Sequence, residues 1–114
     1  MSFPRRGEVY WVRLDPVIGT EIGKTRPAVV ISNDIGNEFS ARVIVAAITK
    51  GGVDKVYPFE VLIPPGEGGL ATISKAALDQ IRTVDRKRLS QRIGSLTSNC
   101  MRDIDQAIRR SLAV

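Results

Sequence analysis

The sequence has no histidine and a single cysteine, Cys100. A disulfide framework needs cysteines in pairs and the usual zinc centres need clustered Cys and His, so neither is available to this chain. Without histidine the ordinary neutral-pH proton shuttle and the usual activator of a cysteine nucleophile are missing as well. Cys100 therefore reads as a small buried hydrophobe, and its reduced, unpaired state fits a cytoplasmic location. Carboxylates are scattered. The one tight pair, Asp103 and Asp105, is spaced i,i+2 on a helical segment and diverges, which disfavours a metal-dependent nuclease. The longest apolar run, Val43 to Ile48, is far too short to span a membrane, and the opening Met1-Ser-Phe-Pro-Arg-Arg is no signal peptide. Aromatics are few. Phe3, Tyr10, Trp11, Phe39, Tyr57 and Phe59 fall mostly in strand-like stretches and read as core rather than as a base-stacking platform.

What is present is a chain of 114 residues, suited to one domain (1–114) with a modest core. Seventeen basic residues against twelve acidic ones give a net charge of +5, which favours polyanionic partners. Short apolar segments recur: residues 8–14 (EVYWVRL), 27–32 (PAVVIS), 42–49 (RVIVAAIT) and 58–63 (PFEVLI), with LATIS and LDQIRTV as two further short strands. Asn33-Asp34 and Gly36-Asn37 read as a plain connection, and PPGEGG (64–69) as a turn cluster. Near the end the period changes. Met101, Ile104, Ile108 and Leu112 share one helical face, with Thr97 or Ser98 as N-cap and Asp105 and Arg109 as an i,i+4 pair. The fold class expected is mainly β: a small SH3-like barrel of short antiparallel strands with a C-terminal amphipathic helix.

Residues 19–34, GTEIGKTRPAVVISND, look at first like a phosphate loop. The spacing excludes one. Only Thr20, Glu21 and Ile22 separate Gly19 from Gly23, one residue too few, and Thr25 is followed by a strand rather than a helix. The Arg26-Pro27 step has a different meaning, because proline forces the preceding residue into extended geometry and is tolerated where a strand begins. Arg26 is thereby held at a strand entrance beside a polar, Gly-containing loop, suited to an anion.

Taken together, RGEVYWVRLDP, GTEIGKTRPAVVISND, VAAIT ending at Thr49, YPFEV and LDQIRTVD resemble, in order and over nearly the whole chain, the MazF/PemK family of toxin endoribonucleases from toxin–antitoxin operons. The resemblance implies a homodimeric SH3-like barrel that cuts single-stranded RNA at short sequences without metal or other cofactor. It also implies a cognate antitoxin, with operator DNA approached only through the antitoxin complex. Its catalytic arginine matches Arg26 and its catalytic threonine Thr49; Thr20 matches an accessory hydroxyl position and Gln80 lies in the matching QIR strand, with Glu21 a further accessory candidate on chemical grounds. Lys24, Lys50, Arg82 and Lys87 are the expected RNA contacts. RTVDRKRLSQR, which gathers Arg82, Arg86, Lys87, Arg88 and Arg92, is equally compatible with a phosphate stripe and with a solvated charged turn. The chemistry agrees with the resemblance, because a guanidinium fork and a hydroxyl can both donate to a phosphorane. The general base stays open between Glu21 and water. Two other classes stand beside the nuclease: a protein-binding toxin of the gyrase-poison type and a non-catalytic RNA-binding barrel, both available to the same fold.

Overall fold

The computed structural model describes residues 2–114. Six strands form one antiparallel sheet: β1 (Glu8–Arg13), β2 (Thr25–Val30), β3 (Arg42–Thr49), β4 (Glu60–Ile63), β5 (Ser74–Asp85) and β6 (Leu89–Ser95), in the spatial order β4-β5-β3-β2-β1-β6. Two helices complete it, α1 (Asp34–Phe39) and α2 (Ser98–Leu112). The central strands are apolar on both faces because both are covered. Val9, Val29, Ala46, Ile48, Ile63 and Leu78 pack with Cys100, Ile104 and Ala107 of α2. On the other face Val12, Leu14, Ala28, Val30, Val43, Val45, Ala47 and Val84 form a second cluster. Each fully buried Ile or Leu is worth roughly 1.5–3 kcal/mol.

The expected barrel is not closed by strand pairing, since β4 and β6 are edges that do not pair with each other. The segment after β4 does the joining. A 3-10 turn at Glu67–Gly69 lies against β6 so closely that a Cβ at Gly94 would stand 2.5 Å from the Gly68 carbonyl oxygen, and one at Gly69 2.4 Å from that of Ile93. Only glycines permit this approach, and Gly68 and Gly69 also adopt positive φ of 65° and 79°. Glu67 then accepts the backbone N–H of Thr97 at 2.6 Å, tying the turn to the start of α2. PPGEGG is a turn, as read, and also the closing piece of the sheet.

Several elements differ from expectation. LATIS and LDQIRTV are not two strands: Ser74–Asp85 is one strand of 12 residues, bent where the β3 register shifts between Ala46 and Ile48. The basic stretch after Asp85 is not a long turn. Residues 86–88 form one 3-10 turn, capped by the Asp85 side chain on the Lys87 N–H, and Leu89–Ser95 is edge strand β6 on β1. The Asn33–Asn37 connection is a helix, with Asn33 as N-cap accepting from the Gly36 N–H at 2.7 Å. In α2, Thr97 is the cap, Ala107 joins the buried face, and Leu112 is 55% exposed. Asp105 pairs with Arg6 at 2.7 Å rather than with Arg109, because Arg6 reaches the helix from the first strand's entry. None of the six aromatics is buried. The core is aliphatic, and Phe39 is 81% exposed.

Candidate active site

The β2–β3 ladder sets Ala28 opposite Ala47 and Val29 opposite Ala46. Arg26 and Thr49 lie just beyond these paired residues, at the start of β2 and the end of β3. Both line a groove of about 660 Å³, together with Trp11, Lys24, Lys50 and the 69–74 segment that includes Thr72 and Ser74. Its charged lining residues are Lys24, Arg26 and Lys50, and no carboxylate lines it. Such a pocket attracts an anion whatever its detailed shape.

Arg26 is half-buried at the start of β2, where Val12 of β1 is its register partner. Its Nε donates to the Gly23 carbonyl oxygen at 3.2 Å. That bond uses one N–H of the guanidinium, and its terminal groups have no side-chain or backbone acceptor among the described residues. An arginine held by its base, with its fork unspent, is arranged for a ligand rather than for a structural ion pair. Thr49 ends β3. Its Oγ1 accepts the Gly51 N–H at 3.1 Å, so the hydroxyl proton is left to donate elsewhere.

The loop before Arg26 is shaped by backbone needs. Leu14 N–H donates to the Lys24 carbonyl, Lys24 N–H to Asp15 Oδ1 at 2.9 Å, and Lys24 itself has a positive φ of 65°. Gly23 sits in a crowded spot, since a Cβ there would lie 2.6 Å from both Asp15 Oδ1 and Val17 Cγ2. Arginines from the far side hold the loop's base: Arg82 donates to the Leu14 carbonyl, and Arg88 to the carbonyls of Arg13 and Asp15 at 3.0 and 2.6 Å. Arg92 pairs with Glu8 at 2.8 Å. The basic stretch is thus in large part scaffolding.

Of the residues singled out from sequence, the structure brings Lys24, Arg26, Thr49 and Lys50 to one groove. Thr20, Glu21, Gln80, Arg82 and Lys87 are not among its lining residues. Glu21 accepts the Ile18 N–H at 2.7 Å, and Gln80 accepts the Ile22 N–H at 3.2 Å, so both shape the loop rather than face the groove. Lys87 is exposed on the turn after β5. Sequence reasoning missed Trp11, Thr72 and Ser74. Trp11 alternates with buried Val12 on β1, pairs with Pro27 and is 40% exposed over the groove, a signal that strict alternation could have given. The 69–74 segment carries no such signal, because its place depends on the Gly94 contact. A second cavity of about 360 Å³, lined by Arg13, Asp15, Lys24, Thr25 and Arg88, shares Lys24 and Thr25 with the groove and extends its basic lining. Away from the site, Cys100 is buried and its thiol is pushed up to about 11, chiefly by burial and then by Glu67 and Asp103. Among the described residues no three Cys, Asp or Glu side chains come together as a metal site.

The fold and sequence match known proteins. Over nearly its whole length the chain is 44% identical to "Endoribonuclease EndoA" of Bacillus subtilis (strain 168), an alignment of 110 residues covering 96% of this chain and 95% of the relative. A crystal structure of MazF from Deinococcus radiodurans superposes with a TM-score of 0.84 at 24% identity, covering 100% of both chains. A mycobacterial endoribonuclease in complex with its cognate antitoxin superposes with a TM-score of 0.81 at 24% identity, covering 97% of this chain and 96% of the other. The family model described as the PemK-like, MazF-like toxin of type II toxin–antitoxin systems matches residues 5–112, and the chain belongs to that family.

Proposed function

We propose that the chain is the endoribonuclease toxin of a type II toxin–antitoxin system and that it cuts single-stranded RNA in the Arg26–Thr49 groove without a metal. The observation that carries this reading is the half-buried, unpaired Arg26 fork in the same groove as Thr49, a groove lined by three cations and no carboxylate. The names and activities of relatives at this identity support the endoribonuclease assignment. A protein-binding toxin would have no need for an unpaired arginine and a hydroxyl in one groove.

In the proposed reaction the ribose 2′-oxygen forms a bond to the adjacent phosphorus as the bond to the 5′-oxygen breaks. The products are a 2′,3′-cyclic phosphate and a 5′-hydroxyl. Two non-bridging oxygens gain charge in the phosphorane, and the Arg26 fork and the Thr49 hydroxyl donate to them. Preorganised donors of this kind are each worth roughly 10²–10³ in rate. The 2′-hydroxyl proton leaves to water, because Glu21 does not line the groove. The 5′-oxygen takes its proton from water or from Arg26, which regains it from water. Trp11 offers one exposed indole face to a neighbouring base.

The toxin acts in the cytoplasm as a homodimer, with residues 1–114 forming one toxin domain. A cognate antitoxin covers the same groove, as expected of an acidic segment competing with RNA for Lys24, Arg26 and Lys50. Among the described residues no helix is long and apolar enough to cross a membrane. The test is primer extension on a long RNA incubated with the purified protein in EDTA. Discrete stops at a recurrent short sequence are expected; intact RNA that is cut only after Mg²⁺ or Mn²⁺ is added would overturn the proposal.

A further inference from the structure

Lys75 is a buried lysine that the reaction above does not use. It sits on β5, where its register partners are Thr49 on β3 and Leu62 on β4. Paired residues of a sheet point to the same face, so Lys75 stands beside Thr49, with Cβ atoms about 4.5–5.5 Å apart in such pairs. Leu62 on that face is exposed, whereas Lys75 is only 8% exposed. What covers it is the irregular loop of residues 50–57. Nζ donates to the Lys55 carbonyl oxygen at 3.1 Å and pairs with Glu60 Oε1 at 3.0 Å. Glu60 Oε1 also accepts the Tyr57 N–H at 3.0 Å. A Cβ added at Gly52 would lie 3.2 Å from Nζ, so the loop crosses directly over the ammonium. One buried ion pair therefore touches the loop at 52, 55 and 57.

The same loop begins at the site. Gly51 N–H donates to Thr49 Oγ1, and Lys50 lines the groove. Its far end carries Tyr57, stacked on Phe59 with ring centroids 5.5 Å apart and planes within 4°, and Lys55 Nζ lies 5.1 Å from the Tyr57 ring. We propose that Lys75 and Glu60 are positioning residues that hold loop 50–57 in the one shape that aims the Thr49 hydroxyl and presents Lys50 and Tyr57 to RNA bases, and so set which sequence is cut. This rests on the reading of the groove as the RNA site. An ion pair removed from water is expensive to break on one side and directional when intact, which suits it to fixing an irregular loop that lacks a ladder of its own.

The test compares wild type with Lys75→Met, Lys75→Arg and Glu60→Gln in two measurements. Backbone hydrogen exchange without RNA reads the loop itself. Cleavage of a preferred RNA oligonucleotide and of its single-base variants reads selectivity. In Lys75→Met and Glu60→Gln the amides of residues 51–57 should exchange at least tenfold faster while those of β2 and β3 stay protected. The ratio of kcat/KM for preferred over variant RNA should fall at least tenfold, with Lys75→Arg close to wild type in both. Unchanged exchange in loop 51–57 would show that the pair does not hold it and would overturn the inference. Faster exchange with unchanged selectivity would also overturn it, and would show that the loop is not the reader although the groove still cuts. Should Lys75→Met fail to fold, Glu60→Gln and Lys75→Arg decide the matter by the same two readouts.

Discussion

Arg26 offers the sharpest contrast between charge and shape. Lysine at this position keeps the cation but loses the planar fork, so Arg26→Lys should lose about two orders of magnitude or more in kcat/KM while its thermal midpoint stays near wild type. Near-normal cleavage by that variant would show that charge alone suffices. For Thr49 only the hydroxyl is invoked: Thr49→Ala should be severely impaired and Thr49→Ser largely active, read as single-turnover rates. Tyr10 gives a prediction about stability rather than catalysis. Its hydroxyl donates to Glu8 Oε1 at 3.0 Å, and burial first, then that carboxylate, raises its pKa from 10.0 to about 12. A pKa raised by folding means that the folded state holds the proton more tightly. The contribution is intact below pH 10 and is lost as pH climbs through about 12. The urea midpoint should therefore fall with pH across that window more steeply in wild type than in Tyr10→Phe.

Among the elements, what was legible in the sequence and what was not divide along a physical line. Strands β1 to β4 and helix α2 carry their own signals, because apolar residues recur at period 2 or 3.6 and the caps flank them. Arg26 was legible in the Arg-Pro step at a strand entrance, whereas Thr49 was singled out only by the family resemblance. Strand β6 was not legible, since LSQRIGS is an edge with one face in water and only Leu89, Ile93 and Gly94 partly buried. Helix α1 is six residues long and contains Gly36, too short and too weak in propensity to show a period. The aromatics were misplaced because their usual burial was assumed, whereas Ala-, Val- and Ile-rich strands fill this core without them. The sheet's closure is a tertiary fact: it depends on Gly68 and Gly69 meeting Gly94, 25 residues or more away. Gly94→Ala places a Cβ 2.5 Å from a backbone oxygen. It should cost about 1–3 kcal/mol or more in chemical denaturation and, by shifting the 69–74 wall of the groove, raise KM as well.

Across the whole molecule, five of the seventeen basic residues line the region where RNA is proposed to lie, Lys24, Arg26 and Lys50 around the groove and Arg13 and Arg88, beside Asp15, in the adjoining cavity. For a single strand each phosphate contact contributes roughly 0.7 to the slope of log affinity against log salt. Lys24→Ala and Lys50→Ala should each flatten that slope by about this amount, while Lys87→Ala, outside the groove, should flatten it less; an equal effect at Lys87 would move the RNA path toward the β5–β6 turn. An antitoxin segment that covers the groove competes for the same cations, so its association rate with the toxin should also fall as salt rises. The central claim is that this groove turns the RNA's own 2′-hydroxyl on the neighbouring phosphate. The most direct measurement is cleavage of an RNA oligonucleotide carrying a single 2′-deoxy nucleotide on the 5′ side of the cut bond. The account predicts binding within a few-fold of the all-RNA strand and no cleavage at that bond. Cleavage of the deoxy-substituted bond, leaving a 5′-phosphate, would contradict it.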